Sequence, residues 1–90
     1  MNKNLPDPKI SFPCDYPIKV LGIVNPVFHD QVCDVVALHD PTITNARISQ
    51  KISRKGKYVS ISFQLYAISK DQIDNLFTDL KKIEAVKLVL

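Results

Sequence analysis

The stretch GKYVSISFQLYAISKDQIDNLFTDLKKIEAVKLVL, residues 56–90, decides the fold. Within it Val59, Ile61, Phe63, Leu65 and Ala67 alternate with Tyr58, Ser60, Ser62, Gln64 and Tyr66. A period of two is the mark of a strand with one buried face. Ser69 then offers a helix N-cap, and Gln72 completes a capping box with it. Ile73, Leu76, Phe77, Leu80 and Ile83 recur at helical spacing before residues 86–90 return as a terminal strand.

Working towards the N-terminus, Arg54-Lys55-Gly56-Lys57 reads as the turn of a hairpin. Its other arm, residues 43–53, mixes Ile48 and Ile52 with Asn45, Arg47, Ser49 and Lys51, a polar composition that suits a sheet edge. Before it, Asn25 as N-cap and Pro26 as first helical residue open a helix. Its apolar stripe is Phe28, Val32, Val35 and His39, flanked by Val36, and Asp40-Pro41 closes it. Residues 16–24 form a strand apolar on both faces, hence central, in which Gly22 admits a close neighbour or marks a bulge. Residues 1–13, with Pro6, Pro8 and Pro13, read as a tail, leaving residues 14–90 as one domain.

The order β-α-β-β-α-β predicts an α+β, ferredoxin-like fold: a four-stranded antiparallel sheet in the order 4-1-3-2 with two helices on one face. That order places the two apolar strands centrally and the polar strand on an edge, in agreement with their composition.

Composition narrows the function classes. The net charge of +3 has a local source: residues 1–46 sum to −2, residues 58–90 to zero, and residues 47–57 carry Arg47, Lys51, Arg54, Lys55 and Lys57 with no acid. No apolar run approaches the ~20 residues of a membrane span, and the first residues lack the apolar stretch of a secretory signal, so a cytoplasmic setting is expected. Cys14 and Cys33 are too few for a disulfide framework. His29 and Cys33 share a helical flank, but the paired spacing of a zinc site is missing, and neither cysteine has a base beside it. Asp71, Asp74 and Asp79 fall among lysines on the polar face of the second helix. With no GxGxxG, P-loop or nucleophile elbow, the reading is of a non-enzymatic domain without metal or cofactor.

Particular residues carry a family resemblance. Phe12-Pro13-Cys14-Asp15-Tyr16-Pro17-Ile18-Lys19-Val20-Leu21-Gly22, the turn Ser53-Arg54-Lys55-Gly56-Lys57-Tyr58 and the ending Val86-Lys87-Leu88-Val89-Leu90 resemble the YbeD-like family of small bacterial proteins. The resemblance implies a ferredoxin-like fold akin to ACT-type regulatory domains, a link to lipoate metabolism, and no catalytic set.

Three sets of residues are candidates for function. Lys19, Leu21, Ile23, Tyr58, Tyr66 and Val89 are expected on the sheet face away from the helices, as a surface for a protein partner or a homodimer. Arg47, Lys51, Arg54, Lys55 and Lys57 form a basic segment suited to weak anion or nucleic-acid binding. Lys57 and Val59 stand where an RNA-binding sheet would carry its stacking aromatics. Gly22 and Asn25 mark a strand-to-helix junction where an ACT-type small-molecule effector would bind.

Overall fold

A computed structural model of the chain describes residues 11–90. Its elements are β1 (Cys14–Ile23), α1 (Phe28–His39), a 3-10 turn (Asn45–Arg47), β2 (Ile48–Ile52), β3 (Tyr58–Ala67), α2 (Lys70–Lys81) and β4 (Val86–Val89). The antiparallel sheet runs β2-β3-β1-β4, as the composition of the strands requires. Residues 1–10, most of the expected tail, lie outside the described residues, while Phe12 packs against the core.

One layer of apolar side chains holds sheet and helices together. Ile18 and Val20 of β1 and Val59, Ile61, Phe63, Leu65 and Ala67 of β3 meet Phe28, Val32 and Val36 of α1 and Ile73, Leu76 and Leu80 of α2. The β2–β3 turn closes with Gly56 N–H donating to the Ser53 carbonyl at 2.8 Å, and Gly56 takes a φ of 74°, which favours glycine. Ser53 also accepts the Tyr58 N–H on its hydroxyl at 3.0 Å, so the Ser-x-Lys-Gly-x-Tyr sequence is this turn's hydrogen-bond scheme.

α2 starts where the capping box places it. Ser69 Oγ accepts the Gln72 N–H at 3.1 Å, an N-cap worth about 1 kcal/mol. Gln72 reaches further than a box requires. Its side-chain carbonyl accepts Ile68 N–H at 2.6 Å, and its amide donates to the carbonyls of His39 at 2.8 Å and Tyr66 at 3.3 Å. It thereby ties the end of α1, the end of β3 and the start of α2 together.

α1 begins later than expected. Asn25 Oδ1 accepts the Val27 N–H at 3.0 Å, and the Asn25 carbonyl accepts Phe28 N–H at 3.3 Å. Asn25 thus makes a side-chain turn two residues ahead of the helix, and Pro26 sits in that turn instead of at the first helical position. At the other end Asp40, the C-cap, is buried. Its carboxylate accepts Tyr66 N–H at 2.8 Å, Thr42 N–H at 3.0 Å and the Thr42 hydroxyl. Burial pushes this carboxyl up, but the Thr42 hydroxyl, the Tyr66 and Thr42 amides and the Arg47 charge outweigh it and hold the group below its usual 3.8.

β4 departs from plain alternation. Val20 pairs with Val89 and Leu21 with Leu88, yet Gly22 pairs with Val86, which leaves Lys87 as the extra residue of a β-bulge. Val89 is therefore 8% exposed in the core and Leu88 46% exposed on the open face, the reverse of the expected placement.

Candidate functional site

Among the described residues no element covers the face of the sheet opposite the helices, and register fixes its layout. Directly paired residues share a face, so three rows can be followed across the strands. Ile23 stands opposite Tyr58; Lys51, Ser60, Leu21 and Leu88 form the next row; Ser49, Ser62 and Lys19 form a third. Leu90 extends that third row through two backbone hydrogen bonds with Lys19, at 2.8 and 3.0 Å.

One end of this face is apolar. Leu21, Ile23, Tyr58 and Leu88 lie together there. Leu88 takes the place expected for Val89, which is not a surface residue because the Lys87 bulge turns it inward. Tyr66 is also on this face, opposite Asp15, but eight residues along β3 separate it from Tyr58, roughly 27 Å of extended strand. The expected partner surface is thus a compact patch plus one remote tyrosine.

Below the patch lies a shallow groove of about 470 Å³. Lys19, Ser49, Ser62 and Gln64 give it polar walls, and Pro17, Ala46 and Leu90 apolar ones. Arg47 stands at the rim, its guanidinium donating to Asp15 Oδ1 at 2.7 Å. Sequence patterning missed this groove because Lys19 and Arg47 are distant in the chain and only the β1–β3–β2 pairing brings them to one place.

The basic segment divides. Arg47 belongs to the 3-10 turn, five strand residues or about 17 Å before the hairpin tip, and is already engaged by Asp15. Arg54, Lys55 and Lys57 occupy the exposed tip with Lys51 nearby on β2, and among the described residues none of these four is in an ion pair.

The junction also changes character. A Cβ on Gly22 would lie 2.4 Å from Phe28 Cζ and 2.7 Å from the Ala85 carbonyl oxygen, so Gly22 seats a core ring against the β4 turn. Asn25 lines a hollow of about 190 Å³ with His29 and Gln50, and the Val27 and Phe28 N–H groups beside it are bonded to Asn25 itself.

Two further pairs of side chains lie on the helices. His39 Nε2 lies 2.7 Å from Asp79 Oδ2, an interhelix pair that local sequence could not reveal, and with Lys82 it holds the Asp79 carboxyl below its usual value. His29 and Cys33 do meet on α1, Sγ to Nδ1 3.6 Å, so Cys33 has an imidazole beside it, against the expectation from sequence, because one helical turn stacks the two side chains; burial first and then Asp30 and Asp34 push the thiol up. Among the described residues no group of three or more His, Cys, Asp or Glu converges as a metal site, and no helix is long and apolar enough to cross a membrane.

Known proteins extend this picture. The family model described as Protein of unknown function (DUF493) matches residues 7–90. The chain belongs to that family. A UPF0250 protein of Hahella chejuensis is 46% identical over 83 residues, covering 92% of this chain and 91% of its own. A UPF0250 protein of Janthinobacterium sp. is 41% identical over 81 residues, covering 90% and 89%. The DUF493 fold is shared by protein HP0495 from H. pylori, with a TM-score of 0.68, 14% identity and coverage of 98% and 97%. It is shared too by the ACT domain from GTP pyrophosphokinase of Chlorobium tepidum, with a TM-score of 0.64, 18% identity and coverage of 86% and 97%. These bear out both the family resemblance and the ACT-like, ferredoxin-like architecture.

Proposed function

We propose that the chain is a non-enzymatic regulatory or adaptor domain that acts through protein contact, with a second copy of itself as the partner. The observation that carries this is the apolar patch of Leu21, Ile23, Tyr58 and Leu88 on the uncovered sheet face. Burying such side chains returns ~25 cal/mol per Å², and a two-fold axis lets one patch cover its own image. An ACT domain shares the fold, which supports a regulatory module at the level of architecture. A setting in lipoate metabolism is carried by the family resemblance alone.

Light scattering over a concentration series tests the contact. The parent is expected to approach a dimer at high micromolar concentration, and Leu21→Asp to be monomeric with an unchanged circular dichroism spectrum. A parent that stays monomeric throughout overturns the reading.

The hairpin tip supports a second, weaker activity. Lys51, Arg54, Lys55 and Lys57 supply charge with no row of aromatics beside it, so binding to oligonucleotides is expected to be weak, indifferent to sequence, and lost as salt rises from 50 to 200 mM. Sequence-selective binding that survives the higher salt would rank nucleic acid first.

A further inference from the structure

We propose that the groove on the open sheet face binds a small organic acid, with its carboxylate on Lys19 and Ser62 and its apolar body along Pro17 and Leu90. The row Ser49, Ser62, Lys19 sets two hydroxyls and an ammonium on adjacent strands, with Cβ atoms ~5 Å apart between opposed residues. One row further, Gln64 stands opposite Pro17 and adds an amide. Every one of these polar groups can donate, and a carboxylate accepts through both oxygens. Among the described residues Lys19 has no ion-pair partner, so its charge is available.

The charge count selects the ligand class. Arg47 at the rim is held by Asp15, so Lys19 is the groove's one cation outside an ion pair among the described residues, and a single cation suits a monoanion better than a phosphate dianion. The walls of Pro17, Ala46 and Leu90 ask for an apolar body, and a volume of about 470 Å³ falls within the usual range of small-molecule sites. This goes beyond the self-association reading and draws on a neighbouring part of the face, one row from Leu21 and Leu88 and two from Ile23 and Tyr58.

The test is a titration of the full-length chain with hexanoate, followed by amide nitrogen–proton NMR spectra, with hexanol and inorganic phosphate as comparison probes. Saturable shifts centred on Lys19, Ser49, Ser62 and Gln64 are expected. Lys19→Gln should weaken binding by about tenfold or more, the change for losing one charge-assisted hydrogen bond. Asp15→Asn should strengthen it by releasing Arg47. Absence of saturation, an unaffected Lys19→Gln variant, or shifts centred on Asn25 and His29 would overturn the proposal. Equal binding of hexanol or of phosphate would remove the carboxylate assignment. Ile23→Asp, in the apolar patch but two rows from Lys19, separates the two readings: hexanoate binding retained in a monomeric Ile23→Asp variant supports the groove, and binding lost with the fold intact assigns the effect to the dimer contact.

Discussion

Gly22→Ala is expected to lower the thermal midpoint by about 15 °C. The added methyl would sit 2.4 Å from Phe28 Cζ and 2.7 Å from the Ala85 carbonyl oxygen, and the second of these is backbone that cannot rotate aside. Forcing extra volume into a packed core costs up to ~3 kcal/mol, and each kcal/mol is worth roughly 4 to 8 °C in a domain of this size. Gly22→Val, with two further methyls, should leave little folded protein. Replacing Phe28 by Leu in the Gly22→Ala background removes the nearer obstruction, so the double variant should lose less than the sum of the single losses. Calorimetry on the four proteins decides it, and a Gly22→Ala midpoint within 2 to 3 °C of the parent, well short of the expected ~15 °C, would show that Phe28 and the Ala85 turn yield freely.

Asp40→Ala should cost on the order of 3 kcal/mol, because it leaves the Tyr66 and Thr42 N–H groups beside a buried position without their acceptor. Asp40→Asn keeps one acceptor oxygen and should cost less. The same group sets the response to acid. Asp40 and Asp79 both titrate below their usual 3.8 in the folded chain, so their stabilisation is complete above that value and is lost as pH falls below it through the folded values. The urea midpoint of the parent should therefore drop below pH ~4, and that of Asp40→Asn should drop less steeply. Identical acid slopes for the two proteins would place the sensitivity elsewhere.

Local patterns were legible and non-local ones were not. Alternation in β3, apolar spacing in α2 and the Ser69 cap are written within a few residues of one another, so fold class and strand order are legible in the sequence. Arg47 was misplaced because the 3-10 turn interrupts what composition presents as one polar strand. Val89 was misplaced because parity counted along β4 ignores Lys87, although Gly22, which pairs with the adjacent Val86, is a residue type that marks bulges. Asp40 carries a second local signal besides the helix stop: Asp-Pro-Thr is the composition of a side-chain turn, and Thr42 completes it. Nothing local announces that Asp40 also receives Tyr66, that Gln72 reaches His39, or that Lys19 and Arg47 border one groove. Those meetings are set by the packing of α1 and α2 and by the pairing of β1, β3 and β2.

The bulge at Lys87 gives the last strand one residue more than its pairing uses. Removing residue 87 would leave Val86 opposite Gly22, Leu88 opposite Leu21 and Val89 opposite Val20, so no other side chain would change sides. β4 therefore holds a unit of slack in its length, and a single-residue deletion, ordinarily ruinous within a sheet, has one place here where it can be absorbed.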